Sequence, residues 1–287
     1  MIPVTVIPVA MIPVAVVVMT RKEAANIRPC LQGLVRFDQV FVVDSGSDDG
    51  TAEIAAGLGA EVVQFHWNGQ YPKKKQWCLD NLAFRHPWVL YCDADERITP
   101  ELAGEIALLM TSGPELAGYF IPGQPVFGGV RHRHGAWNRK LALLDRRFAS
   151  FPAFPDLDVD TMWEVEGHYQ PELRGPAGSL RNAMIHEEAA SLYGWFDRHN
   201  RYSDWETALL SDGRTKHLSN REKVFRRFLK GIFARLPGRP LAAFLHSYLL
   251  RLGFLDGGPG FDRAVARGFY YWQIGVKLRV HKRGPSR

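Results

Sequence analysis

The sequence predicts an α/β fold, in which a mostly parallel sheet is flanked by helices. Between residues 14 and 110, short apolar segments alternate strictly with segments of helical pattern, which is typical of parallel strands joined by crossover helices. Polar and charged residues follow several apolar segments, at the sheet edge where open α/β folds bind ligands. The chain has 287 residues, 46% of them hydrophobic, which is enough to bury a full core.

The first strand is expected over residues 14–19, at the end of an apolar N-terminal run. Pro3, Pro8 and Pro13 would interrupt a helix there, and no basic region precedes the run, so an extended lead-in is expected rather than a signal peptide or membrane span. Strands are then expected over 39–43, 61–65 and 88–92, and helices over 22–34, 51–58, 74–83 and 99–110. Gly59 is expected to end the second helix and Pro100 to begin the fourth. From there to about residue 181, the alternation fades into a stretch rich in Gly, Pro and aromatic residues.

The C-terminal third predicts helices with apolar and basic faces. Ser191 is placed to cap a helix that Gly213 would close, and a helix over 221–236 would be amphipathic and basic. Two more apolar segments, separated by a loop over 256–260, are interrupted by charged residues, so neither is a clean span of about 20 apolar residues. These features favour a helical appendage that lies on an anionic membrane surface, and ordinary docking on the preceding domain is the alternative.

The charge distribution indicates which class of partner to expect, and the cysteine content indicates the compartment. The net charge is +6, with basic residues concentrated at 73–75, 221–239 and 281–287. This distribution indicates anionic partners, and we expect phosphate or a membrane surface rather than nucleic acid. The three cysteines are odd in number and lack metal-ligand spacing, which indicates reduced thiols in a cytosolic compartment.

Two carboxylates, Asp93 and Asp95, come one residue apart directly after the apolar strand over 88–92. A strand that ends in this way aims both acids past the carboxyl edge of a sheet, where Mg²⁺ or Mn²⁺ could bridge them to a diphosphate. A solvated turn before the next helix is the alternative. No Gly-x-Gly-x-x-Gly turn follows the first strand and no Walker loop occurs, so a dinucleotide-binding enzyme is not expected. An aspartyl-nucleophile phosphatase is disfavoured as well, because its nucleophile normally closes the first strand and this acid pair follows the fourth.

The sequence resembles the nucleotide-sugar glycosyltransferases of family 2, which have the Rossmann-like GT-A fold. Four segments come in the family's order, namely Thr20 to Asn26, Val42 to Thr51, Lys75-Gln76 and Asp93 to Glu96. The likeness is strong over residues 14–109 and weaker beyond, where residues 252–260 look like the closing segment of the lipopolysaccharide-core glucosyltransferase branch. The resemblance implies an inverting, metal-dependent enzyme that uses a nucleoside-diphosphate sugar, in the first instance a UDP-sugar. It also implies a glycan or lipid-linked acceptor of the cell envelope.

On this resemblance, the donor site lies after the first, second and fourth strands. The residues expected to bind the nucleotide sugar are Thr20, Arg21, Glu23, Asp44, Ser45, Gly46, Lys75, Asp93 and Ala94. Asp44 would accept a hydrogen bond from the base, with a capping carboxylate as the alternative. Glu23 is either a nucleoside contact or a first-turn helix carboxylate. Asp95 would bind Mg²⁺ or Mn²⁺, and His186 would complete the metal or diphosphate shell or simply be packed.

A base must remove the proton of the acceptor hydroxyl, and two glutamates are candidates. Glu164 is the closer match to the base position of the resembling branch, and Glu166 would point to the same face of an extended strand. A structural salt bridge is the alternative for both. Lys75 would attract phosphate at a helix N-terminus, whereas Lys73 and Lys74 are expected on a solvated face.

The implied organisation has two parts. Residues 1–190 would form the catalytic domain, with the nucleotide-sugar half over 14–110 and the acceptor half over 111–190, and residues 191–287 would form the helical appendage. The expected location is cytoplasmic, on the inner face of the cell membrane. Two alternatives stay open: a polyprenyl-phosphate sugar transferase of the same fold, and a non-catalytic membrane scaffold that binds nucleotide sugars.

Overall fold

The computed structural model describes residues 10–160, 162–166, 170–187, 191–214 and 238–283. The strands are β1 (Ile12–Thr20), β2 (Phe37–Asp44), β3 (Glu61–Gln64), β4 (Trp88–Asp93), β5 (Glu96–Arg97), β6 (Gly118–Phe127), β7 (Val130–Arg131), β8 (Asn138–Asp145), β9 (Ala149–Ser150), β10 (Glu172–Leu173), β11 (Ala177–Ser179) and β12 (Met184–Glu187). The α-helices are α1 (Ala24–Gln32), α2 (Thr51–Gly57), α3 (Lys74–Asn81), α4 (Pro100–Ser112), α5 (Leu192–Ser211), α6 (Arg239–Leu245) and α7 (Gly257–Arg283). A π-helical turn (His246–Leu250) and a 3₁₀ turn (Gly253–Asp256) join α6 to α7.

Within the described ranges, one large sheet has the strand order β3-β2-β1-β4-β8-β6-β12-β5, and β7 and β11 also pair with β6. The strands β3, β2, β1 and β4 are parallel, and β8 is antiparallel to its two neighbours β4 and β6. Because β12 is parallel to β6, its end lies at the same edge as the ends of β1, β2 and β4. Thr20, Asp44, Asp93 and His186 are thereby brought to one edge of the sheet.

The apolar residues of strand β1 are buried on both faces of the sheet. Val14, Val16 and Val18 pack in one core cluster, while Ala15 and Val17 pack in the other. A continuous apolar run is the pattern expected for a parallel strand covered by helices on both sides. The expected α/β class with a mostly parallel sheet is therefore confirmed, and each expected element up to residue 112 is present with ends shifted by a few residues.

Two local signals at helix ends are also confirmed. The Thr99 hydroxyl accepts a hydrogen bond from the Leu102 amide at 3.2 Å, with Pro100 at the first turn of α4. The Ser191 hydroxyl accepts from the Gly194 amide at 3.1 Å at the start of α5. Such side-chain acceptors satisfy amides that have no partner within the helix.

The C-terminal region differs from the expectation. The loop expected over 256–260 was wrong, because α7 begins at Gly257 and runs for 27 residues. Its first turn packs against the preceding 3₁₀ turn so closely that a Cβ atom at Gly260 would lie 2.0 Å from the Gly253 carbonyl oxygen. Glycine at this position therefore permits a helical turn where the sequence suggested a loop.

Among the described residues, the structure contains no helix that has both the length and the apolar character needed to span a bilayer. The basic amphipathic helix expected over 221–236 and most of the N-terminal lead-in lie outside the described residues. The three cysteines are buried free thiols, as expected. The division into a domain over 1–190 and an appendage stays a prediction.

Candidate active site

A cleft of about 630 Å³ opens over the carboxyl edge of the sheet. Its floor is formed by residues at the ends of β1 and β4, including Thr20, Asp93 and Asp95. Helices α5 and α7 form the opposite wall. The sequence-predicted residues that line the cleft are Thr20, Arg21, Glu23, Lys75, Asp93, Ala94, Asp95, Glu164, Glu166 and His186.

Asp95 is the acidic group at the centre of this site. It is only 7% exposed, and its Oδ2 atom accepts a hydrogen bond from Arg198 Nη1 at 2.9 Å and lies 3.6 Å from His186 Nε2. Burial alone would raise the pKa of Asp95, but His186 and Arg198 outweigh it, so the pKa is lowered and the carboxylate is ionised at neutral pH. Asp95 and His186 meet because β12 ends beside the turn that follows β4.

The charge of Asp93 is neutralised by a lysine that is distant in sequence but lies on the neighbouring strand of the sheet. Lys140 Nζ on β8 lies 2.8 Å from Asp93 Oδ2 and 2.8 Å from Glu96 Oε2. Partial burial alone would raise the pKa of Asp93, but the Lys140 ammonium lowers it. The Asp93 side chain is still 41% exposed, and it therefore presents its remaining surface to the cleft.

The surroundings of Asp95 fit a divalent cation as a partial ligand shell. Asp95 offers a carboxylate and His186 an imidazole, two donor types that bind divalent metals, and their Oδ2 and Nε2 atoms are 3.6 Å apart. In the part of the chain that the structure describes, no group of three or more His, Cys, Asp or Glu side chains could hold a metal alone. Because Mg²⁺ is commonly bound by one or two carboxylates plus substrate phosphates, the donor set suits an ion whose shell a diphosphate completes.

Asp44 has a different environment from the one expected. It is fully buried and does not line the cleft, and neither do Ser45 and Gly46. Its Oδ1 atom accepts from the hydroxyls of Thr20 at 2.8 Å and Ser47 at 2.5 Å, and its Oδ2 atom accepts from the Ser47 amide at 2.8 Å. Burial alone would raise the pKa of Asp44, but these hydrogen bonds lower it. The contacts favour the alternative interpretation, in which Asp44 caps its own turn, over contact with a base.

The three consecutive lysines are all buried, so the expectation of a solvated face for Lys73 and Lys74 was wrong. Lys73 is 1% exposed and its Nζ lies 2.8 Å from Asp156 Oδ2. Asp156 also accepts hydrogen bonds from the Tyr71 hydroxyl at 2.7 Å and from the Trp205 indole at 3.2 Å. Three consecutive lysines can be buried here because the ammonium group of each contacts oxygen acceptors from a distant part of the chain.

We expect Asp156→Asn to lower the free energy of unfolding by about 3–5 kcal/mol, because it leaves the buried Lys73 ammonium without a counter-charge. Urea unfolding followed by tryptophan fluorescence measures the change. Asp48→Asn is the matched control, since the Lys22–Asp48 pair is exposed on both sides and is worth about 0–1 kcal/mol. Equal effects of the two substitutions would contradict a structural role for the buried pair.

Lys74 connects Glu164 to the ends of β1 and β2. Its Nζ donates to the Thr20 carbonyl at 2.9 Å and to the Ser45 hydroxyl at 2.7 Å, and it lies 3.6 Å from Glu164 Oε1. Ser45 also donates to Glu164 Oε1. Burial lowers the pKa of Lys74, and Glu164 opposes this effect. Glu164 is thus held at the cleft with its side chain 12% exposed.

Glu166 has a structural contact that separates it from Glu164. Its two carboxylate oxygens accept from the backbone amides of Lys75 at 2.7 Å and Gln76 at 3.0 Å, in the first turn of α3. Burial raises the pKa of Glu166, against the effect of these hydrogen bonds. The N-terminus of α3, where a phosphate was expected, therefore already binds a carboxylate of the same chain. Lys75 adds to this contact by donating from Nζ to the Glu166 carbonyl at 2.9 Å.

We expect Glu166→Gln to lower the free energy of unfolding by about 1–3 kcal/mol, because the amide group would face a buried N–H donor at the start of α3. Thermal or urea unfolding measures this loss. Glu101→Gln is the control: Glu101 lies in the first turn of α4 but is exposed, so a change of a few tenths of a kcal/mol is expected. A Glu166→Gln protein as stable as the parent would contradict the capping role.

The acceptor side of the site was only partly anticipated. Within the expected acceptor half over 111–190, Asn138 at the start of β8 lines the cleft. The His134 ring and amide nitrogens instead bind Asp256 at 2.9 Å each, and His132 Nδ1 lies 3.4 Å from the same carboxylate. Sequence analysis missed Lys140 and Arg198 because neither lies in a local motif. The sheet register and the packing of α5 bring them to the acid pair.

The chain is similar to known glycosyltransferases over most of its length. A model of glycosyl transferase family 2 matches residues 15–161. An uncharacterized glycosyltransferase of Rickettsia bellii is 35% identical over 273 residues, covering 91% of this chain and 84% of that protein. A lipopolysaccharide core biosynthesis glycosyltransferase of Rhizobium meliloti is 29% identical over 269 residues, covering 89% and 88%.

A mannosyltransferase of Pyrobaculum calidifontis, solved with GDP-Man and Mn²⁺, has 18% sequence identity and a TM-score of 0.46, covering 96% of this chain and 90% of that one.

Proposed function

The chain belongs to glycosyltransferase family 2, and from this premise we propose that it transfers a sugar from a nucleoside-diphosphate sugar to a hydroxyl of an acceptor, with inversion at the anomeric carbon. The observation that carries the proposal is a single cleft lined by Asp93, Asp95, Arg198 and Glu164, in which Arg198 contacts Asp95. Arg198 supplies a cation for a diphosphate, and Glu164 supplies a carboxylate for a proton. A UDP-sugar is the proposed donor, because of the resemblance to enzymes that use one.

The leaving diphosphate is proposed to bind at Asp95. Asp95 and His186 would hold Mg²⁺ or Mn²⁺, and a bound ion of this kind neutralises charge that develops on the leaving group. Arg198 lies beside them and can donate to a phosphate oxygen without desolvating a new charge, since it is already partly buried. Thr20, Arg21, Glu23, Asp93 and Ala94 line the same part of the cleft.

Glu164 is the proposed base. The acceptor oxygen forms a bond to the anomeric carbon while the bond from that carbon to the diphosphate oxygen breaks, and the hydroxyl proton passes to the Glu164 carboxylate. Contacts with Ser45 and Lys74 fix the orientation of Glu164. Glu166 is unsuited to the role because both of its oxygens cap α3.

The proposed acceptor is a glycan or lipid-linked saccharide of the cell envelope, which the Rhizobium meliloti relative supports by its role in lipopolysaccharide core synthesis. Peripheral association with the inner face of the membrane is part of the proposal. Large apolar side chains in the C-terminal region are 38–76% exposed, among them Leu241, Leu245, Leu249, Leu250, Leu252, Phe254 and Leu255. Exposed apolar surface of this kind is typical of interaction sites for proteins or lipids.

A polyprenyl-phosphate sugar transferase is the second candidate. The observation that favours it is an apolar groove of about 570 Å³ between Phe127, Phe196, Phe261 and Phe269, which could hold a hydrocarbon chain. A phosphate acceptor is already ionised and needs no base. Loss of activity in Glu164→Gln would therefore indicate a hydroxyl acceptor, and retained activity would indicate a phosphate acceptor.

The experiment that tests the proposed function is a panel of nucleotide sugars supplied with Mg²⁺ or Mn²⁺. Release of the nucleoside diphosphate is measured first, and products formed on extracted envelope lipids and glycans are then identified by mass. We expect one donor to be turned over, with an added hexose mass on an acceptor. A protein that binds nucleotide sugars but turns over none of them would support the non-catalytic scaffold instead.

A further inference from the structure

Helix α7 contributes two arginines, Arg263 and Arg267, to the wall of the cleft opposite the sheet. They are four residues apart and so lie on the same helix face. Arg263 is 9% exposed and donates from Nη1 to the Ala136 carbonyl at 3.0 Å. Arg267 is half-buried, and its guanidinium lies 6.0 Å from the centre of the Tyr271 ring. The pair is held by packing and is not displayed on a solvated surface.

Two carboxylates that line the cleft, Glu206 on the same wall and Asp95 on the floor, are engaged by other groups. Glu206 accepts from the Tyr270 hydroxyl at 2.8 Å and lies 3.6 Å from Arg239, and Asp95 is bound by Arg198. Among the described residues, no carboxylate lies within 4 Å of the Arg267 guanidinium, and its buried Nε atom has no hydrogen-bond acceptor. A buried donor without an acceptor is costly, so this position favours a ligand that brings an oxygen.

We propose that Arg267, with Arg263 beside it, binds a phosphate group of the acceptor. A guanidinium matches a phosphate because its N–H fork can donate two parallel hydrogen bonds to two oxygens. We assign the arginines of α7 to the acceptor, because the donor diphosphate is assigned to Asp95 on the sheet side and to Arg198 on α5. Tyr270 and Tyr271 also line the cleft and can contact a sugar ring next to the anion. This inference rests on the proposed function, and it adds the chemical class of the acceptor.

The first test measures binding of inorganic phosphate by calorimetry to protein saturated with UDP and Mg²⁺. The variant is Arg267→Gln, and the matched control is Arg279→Gln, an exposed arginine farther along α7. We expect the parent and the control to bind phosphate, and Arg267→Gln to bind it about tenfold or more weakly, since one charge-assisted contact is lost. Arg267→Lys keeps the charge without the fork and is expected to give an intermediate affinity. Absence of phosphate binding in the saturated parent, or equal binding by Arg267→Gln, would overturn the proposal.

A second measurement identifies the source of the anion. A soluble phosphorylated glycoside, the same glycoside after phosphatase treatment, and polyprenyl phosphate in lipid vesicles are compared as acceptors. We expect Arg267→Gln to raise the KM for the anionic acceptor, and the control Arg279→Gln to leave both this KM and the basal release of UDP from the donor unchanged. If UDP does not bind at all, the UDP-sugar part of the proposed function fails, and phosphate binding without nucleotide still tests the arginine site. If UDP binds and the phosphatase-treated acceptor is used equally well, the arginine proposal fails alone.

Discussion

Replacing Asp95 by asparagine is expected to lower the rate of sugar transfer by about a hundredfold to a thousandfold. The carboxylate is the ionised group closest to both His186 and Arg198, and asparagine keeps its shape while removing its charge. Both the proposed ion and the orientation of Arg198 depend on that charge, so the loss falls on leaving-group stabilisation. Initial rates of nucleoside diphosphate release and of product formation, measured across a Mg²⁺ and Mn²⁺ titration, give the result.

The control for Asp95 is Asp197→Asn, which lies on α5 with a side chain 50% exposed. We expect it to retain parental turnover. Circular dichroism and the melting temperature establish that Asp95→Asn is folded. A folded Asp95→Asn protein with parental metal-dependent turnover would remove Asp95 from the mechanism.

Glu164→Gln is expected to reduce kcat by about 10²–10⁴-fold while nucleotide binding is retained. Glutamine preserves an oxygen acceptor for Ser45 and Lys74, so the local structure is conserved as far as a single substitution allows. It cannot take the acceptor proton at neutral pH. Single-turnover kinetics separate this loss of the chemical step from an effect on donor binding, which calorimetry with UDP measures directly.

Glu166→Gln is the informative comparison for Glu164→Gln, since the two glutamates are two residues apart and could not be separated by sequence. We expect Glu166→Gln to be less stable but to keep most of its kcat when assayed well below its melting temperature. The opposite pattern, with a stable but inactive Glu166→Gln and an active Glu164→Gln, would reverse the assignment of the base.

The parallel half of the fold could be predicted because its signals are local. Short apolar strands, Pro100 at the start of a helix and Gly59 at the end of one each indicate an element within a few residues of sequence. Strands β6 and β8 were not predicted, because β6 contains Gly118, Gly123 and two prolines, and its pairing with β8 depends on contacts across the chain. Propensity is a weak guide where strand pairing supplies the stability.

The candidate site was predicted less completely, for a related reason. The sequence indicated the residues at strand ends, since topology alone brings them to one edge. It misjudged Lys73 and Lys74, because a run of charges has no local sign of burial when its partners, Asp156 and Glu164, come some 80–90 residues later. Lys140 and Arg198 were not predicted for the same reason, because their partners are also distant in sequence. Each becomes part of the site only when its strand or helix is packed beside the acid pair.

The two walls of the cleft have different origins along the chain. The acid pair at the end of β4 lies within the segment that the family 2 model matches, 15–161, whereas Arg263 and Arg267 come from α7, which lies beyond it. The proposed acceptor arginines are therefore encoded in a different stretch of sequence from the acid pair. Descendants of one ancestral gene could keep the same donor and acquire new acceptors by changing only this helix, because the acid pair would be left untouched.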